Sequence, residues 1–132
     1  MKELHVKNEN YEIHIDREKN RSYITLRGYW KNLDDVPDLE KDFMMVPGKL
    51  RSEYTSLIDL RDFKTPGPDV MNLFIKVEHD NAQIHVRKKA ARVVSQPLEK
   101  LAADRIGKDS GVKEKTAFFN SLEEAEAWLN EE

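Results

Sequence analysis

Hydrophobic and polar positions alternate at two places near the start of the chain. Tyr11, Ile13 and Ile15 alternate with Glu12, His14 and Asp16, and Tyr23-Ile24-Thr25-Leu26-Arg27 repeats the pattern with Ile24 and Leu26 as the inward pair. A period of two marks a strand with one buried face. The turn Glu18-Lys19-Asn20-Arg21 is short, so the two strands form an antiparallel hairpin, which Gly28 closes. Residues 1–9 are polar and read as a loose lead-in. Between Asn32 and Val46 the period changes: Val36, Leu39, Phe43 and Val46 fall on one helical stripe. Asp34, Asp35 and Asp38 crowd its first turn, where the helix dipole favours acids. Pro37 suits the first helical position, and Pro47-Gly48 ends the helix.

The segment from Tyr54 to Asp69, YTSLIDLRDFKTPGPD, organises the rest. Leu57, Ile58 and Leu60 form a compact apolar run, which predicts a central strand covered on both faces. Lys64-Thr65-Pro66-Gly67-Pro68 breaks it and opens a helix with Val70, Leu73, Phe74 and Val77 on its inner stripe. Ile84 extends the stripe, and the helix ends near His79 to Gln83. Ala90-Ala91-Arg92-Val93-Val94-Ser95 reads as a fourth strand. Pro97 starts a helix with Leu98, Leu101, Ala102 and Ile106 facing in, and Gly107 to Lys115 is a charged loop. Thr116-Ala117-Phe118-Phe119 is a fifth strand. Ser121 and Glu124 form a capping box for a last helix that buries Leu122, Ala125 and Leu129 beside Trp128. The order β-β-α-β-α-β-α-β-α predicts a single α/β domain: a five-stranded, mostly parallel sheet with an antiparallel edge hairpin and helices packed on it.

Composition narrows the function classes. Of the 132 residues, 36% are charged, with 22 basic and 25 acidic side chains and a net charge of -3. That balance points away from general nucleic-acid binding, which rests on positive charge. The chain has no cysteine, so neither disulfide nor thiolate chemistry contributes. The longest apolar run, Phe43 to Val46, is far short of the roughly 20 residues of a membrane span, and the N-terminus lacks the apolar centre of a signal peptide. The expectation is a soluble cytoplasmic protein with no membrane span.

The hairpin YEIHIDREKNRSYITLRG, the strands SLIDLRDF and ARVVS, and the closing FFNSLEEAEAWL resemble the STAS-like (SpoIIAA-like) family in texture and order, from about Tyr11 to Leu129. The likeness is nearest to its small stand-alone bacterial members. It implies a regulatory module that binds a protein partner. The family's best-known members are switched by phosphorylation of a serine at the start of the helix after the third strand. This chain has Gly67-Pro68-Asp69-Val70 there, and Thr65 is the nearest hydroxyl. The resemblance therefore implies binding without the serine phosphoswitch, with Asp69 or Asp62 standing as a permanent negative charge.

The tentative partner- or ligand-binding residues are Asp59, Arg61, Asp62, Thr65 and Asp69, at the carboxyl end of the third strand, where open α/β sheets place their chemistry. All but Asp62 have a plainer reading. Asp59 and Arg61 form an ion pair tying strand to loop. Thr65 is an N-cap and Asp69 compensates the helix dipole. The Pro66-Gly67-Pro68 loop is a rigid turn rather than a phosphate cradle, since two prolines remove two N–H donors. His5, His14, His79 and His85 show no metal-ligand spacing and read as solvent-facing, so no metal and no cofactor is expected. From Arg87 to Lys115 there are nine basic and four acidic residues. This tract reads as an acidic-partner surface or, more simply, as the solvated start of a strand and a charged loop. It holds no aromatic residue for stacking nucleic acid.

No nucleophile–base–acid set is present, so the expectation is a non-catalytic regulatory or adaptor module. The alternative is a small ligand, nucleotide or apolar, in the same region, motivated by the aromatic and methionine content around the first two helices. The fold is also similar to the CRAL-TRIO lipid-binding fold. Trp30 with Met44 or Met45 offers an apolar patch for a homodimer or a partner.

Overall fold

The computed structural model describes residues 2–95 and 114–131. Six strands form one sheet in sequence order: β1 (Lys2–Lys7), β2 (Tyr11–Asp16), β3 (Arg21–Gly28), β4 (Tyr54–Phe63), β5 (Arg87–Val93) and β6 (Lys115–Phe119). β1, β2 and β3 pair antiparallel, and β3 to β6 pair parallel. The helices among the described residues are α1 (Leu39–Met44), α2 (Pro68–Ile84) and α3 (Leu122–Asn130). β4 lies inside the sheet, between β3 and β5. The helix expected from Pro97 lies outside the described residues.

Two expectations on the sheet are corrected together. Residues 2–7 are not a loose lead-in but the edge strand β1, so the sheet has six strands rather than five. In its sequence, KELHVK, only Leu4 and Val6 alternate with polar residues, and a shift in the pairing between them leaves Leu4 exposed, so only Val6 packs on the core. Edge strands are commonly charged, which discourages pairing with other chains.

The segment between β3 and β4 also departs from expectation. It is not one helix over Asn32–Val46. A short 3-10 turn at Leu33–Asp35 comes first, then α1, then a second 3-10 turn at Pro47–Lys49. Pro37 lies in the break between the first turn and α1, not at the first helical position. The acids do cap, but they cap the 3-10 turn. The Asn32 side chain accepts from Asp34 N–H, and the Asp35 carboxylate accepts from Asn32 N–H and from Lys31 N–H at 2.9 Å.

α1 and α2 lie against one face of the sheet and α3 against the other. The first face carries the larger core. Trp30 is fully buried there, stacked on Phe74 at 5.7 Å and edge-on to Phe63 at 4.7 Å, with its indole N–H donating to the Arg27 carbonyl. Buried Trp keeps such a partner because an unpaired N–H in the core is costly. Tyr11 packs edge-on against Trp30 and Phe43, and its hydroxyl donates to Asp42 at 2.6 Å. The apolar patch expected from Trp30 therefore does not exist, although Met45 is exposed. The smaller core, under α3, joins Tyr23, Leu57, Ala91, Val93, Ala125 and Leu129.

At helix ends the pattern overreached. α2 runs on to Ile84, but Ile84 and Leu122, both expected inside, are 47% and 38% exposed. The Ser121 hydroxyl does cap α3, accepting from Glu124 N–H.

Candidate functional site

The carboxyl ends of the parallel strands β3 to β6 share one edge of the sheet. The predicted residues lie there, along the exit of β4 and the start of α2. The pairing of β3 with β4 shifts between Thr25 and Arg27, where Thr25 faces Asp59 and Arg27 faces Asp62. An extra residue on β4 bends the strand and re-aims its side chains. Arg61 and Asp62 are consequently both exposed.

Asp59 and Arg61 close on each other. Arg61 Nε and Nη2 donate to the two carboxylate oxygens at 2.9 and 2.8 Å, and Arg61 N–H donates to the same carboxylate. The hydrogen bond and charge of Asp59 raise the Arg61 pKa, with smaller contributions from Asp62 and Glu123. On the other side of the chain the Ser95 hydroxyl donates to the Arg61 carbonyl. The pair fixes the strand's exit. Thr65 is exposed on the loop and Asp69 is exposed in the first turn of α2.

The backbone beneath these side chains is locked. Lys64 N–H donates to the Gly28 carbonyl at 3.0 Å, and Gly67 N–H donates to the Trp30 carbonyl at 2.9 Å. A Cβ on Gly67 would sit 1.9 Å from the Lys31 carbonyl oxygen, so only glycine permits the approach. Gly67 is itself the N-cap of α2, with no side-chain cap, so Thr65 does not cap the helix. Pro68 has no N–H and that of Gly67 is already spent, which leaves little of the usual anion-attracting end.

Sequence reasoning missed a second polar cluster, at the opposite edge of the sheet. The basic tract is not a solvated strand start: Arg87, Lys89 and Arg92 are buried. Arg87 donates to both oxygens of Glu114 at 2.7 and 2.8 Å and to Glu78 at 2.6 Å. Burial would lower the Arg87 pKa, but the two carboxylates hold it well above its ordinary value. Burial would likewise raise Glu114, and the charge of Arg87, its hydrogen bonds and Arg92 outweigh that and hold the carboxyl below its usual range. Lys89 donates to the Trp128 and Glu131 carbonyls at the end of α3, where cations offset the helix dipole. A signal for this cluster was present. Glu78 and Asn81 continue the inward stripe of Val70, Phe74 and Val77, and polar residues on a buried stripe need buried partners.

The histidines divide. His14 is half-buried against Glu12 at 2.7 Å, and His5 lies between the Asp42 carbonyl and Lys49 Nζ. Neither is solvent-facing as expected, whereas His79 is exposed. No helix among the described residues is long and apolar enough to cross a membrane.

A mixed sheet with an antiparallel edge, parallel strands beyond it and helices on both faces defines an α/β protein of a particular topology. The structure is similar to an uncharacterised DUF3478-family protein from Shewanella loihica PV-4, itself described as having a SpoIIAA-like fold. The match covers 94% of this chain and 97% of that one, with a TM-score of 0.68 and 16% sequence identity. The chain therefore has the SpoIIAA-like fold. No protein-family model matches it, and no curated protein does.

Proposed function

We propose that the chain is a non-catalytic, cytoplasmic STAS-like regulatory or adaptor module that docks a protein partner at the carboxyl edge of β4 and the start of α2. The observation that carries this reading is the contrast between backbone and side chains there. Lys64 to Gly67 is fixed against Gly28 to Lys31 by hydrogen bonds and a glycine-only approach, while Asp62, Thr65 and Asp69 stand exposed on it. A pre-ordered rim loses little conformational entropy when a partner binds.

The reading does without the serine switch, because Gly67, Pro68 and Asp69 occupy the helix start and the Gly67 N–H is bonded to the Trp30 carbonyl. The small-ligand alternative drew on aromatic content, and Tyr11, Trp30, Phe43, Phe63 and Phe74 are packed into the core.

The test is affinity capture from extracts of the native host with three baits: the wild-type chain, Asp62→Lys/Asp69→Lys, and Gln83→Lys as a control on an exposed residue at the far end of α2. A partner held by the wild type and the control but lost by the double variant supports the proposal. A partner retained equally by all three removes this surface from consideration.

A further inference from the structure

At the amino edge of β4 and β5, away from the proposed docking rim, Tyr54, Glu78, Asn81, His85, Arg87 and Glu114 line a recess with space for about one water molecule. Asn81 decides its chemistry. Its Nδ2 donates to the Phe43 carbonyl at 3.1 Å. A carbonyl only accepts, so turning the amide over would set oxygen against oxygen. The amide orientation is thereby fixed, and Oδ1 is buried with no hydrogen-bond partner.

Buried acceptors are satisfied in native proteins, by protein or by ordered solvent. No protein donor meets Oδ1, neither from Arg87 nor from Tyr54 or His85, which line the same recess. Arg87 Nε and Nη2 are spent on Glu78 and Glu114, and Nη1 makes only a long 3.5 Å contact with Ser56 Oγ. We infer that this recess is a binding site for one water-sized hydrogen-bond donor, held by Asn81 Oδ1 and bridging α2 to the buried Arg87–Glu78–Glu114 cluster. Glu78, Tyr54 and Arg87, which line the same recess, carry the polar groups from which its remaining partners would come.

Two molecules carry the required chemistry, water and the ammonium ion. Crystals of the full chain grown once without ammonium salts and once with them separate the two. Melting temperatures in ammonium chloride and sodium chloride at equal ionic strength provide the second readout. The expected result is one ordered atom about 2.7–3.2 Å from Asn81 Oδ1 in both crystals, with equal melting temperatures, which identifies water. Density only in the ammonium-grown crystal, with a higher melting temperature in ammonium chloride, identifies ammonium and keeps the site. A recess empty in both crystals, or an Asn81 amide turned so that Oδ1 meets a protein donor, overturns the inference.

Discussion

Gly67 acts through the side chain it lacks. The Lys31 carbonyl occupies the place of its Cβ, so Gly67→Ala must push two locked backbone segments apart. The expected cost is about 2 kcal/mol or more, read as a lower urea midpoint at unchanged m-value. A change within about 0.5 kcal/mol would show that the approach is slack. Glu114 makes a different prediction. Removing one partner of a buried pair leaves the other charge uncompensated, so Glu114→Gln should cost about 3 kcal/mol at neutral pH. Its folded-state pKa is depressed, so its contribution is present above the unfolded carboxylate value and is lost as pH falls through the folded one. Urea midpoints of the wild type should therefore decline below about pH 4.5, and those of Glu114→Gln should decline less steeply; parallel curves would count against the assignment. Of these two residues the sequence announced only Gly67, as a break in the pattern. Its contact with Lys31, and the pairing of Glu114 with Arg87, join residues distant in the chain, and no local periodicity encodes them.

At the scale of elements, strands with one clearly buried face were legible. Tyr11–Asp16 and Arg21–Gly28 alternate because the core demands it, and the continuous apolar run of β4 follows from its inner position. β1 was not legible because it pairs on one side only and buries little, so its charges look like a tail. That difference is measurable. A loose lead-in can be removed at no cost, whereas deletion of residues 1–7 should uncover the edge of β2 and the core contact of Val6. The expected drop in melting temperature is about 5 °C or more; an unchanged value would mean that β1 adds nothing. The stripe from Val36 to Val46 has the spacing of one helix, and all four residues are buried. Pro37 and the capped 3-10 turn divide the segment, so burial was right where helix length was wrong.

Over the whole molecule, the edge of β4 joins a fixed backbone to exposed charge, and the amino edge holds its charges inside. The order of elements was enough to indicate the fold, since alternating strands and helices after a hairpin admit few arrangements. The site was legible only as a place. Position at strand ends follows from topology, and the Asp59–Arg61 ion pair was legible from their spacing, but the absence of a Thr65 cap depends on local backbone geometry. The measurement that bears most directly on the docking proposal is the affinity of a purified captured partner for the wild-type chain and for Asp69→Lys, by titration calorimetry. A dissociation constant at least about tenfold weaker for the variant, or roughly 1.4 kcal/mol, with an unchanged melting temperature, is the predicted result. Equal affinities for the two proteins would contradict it.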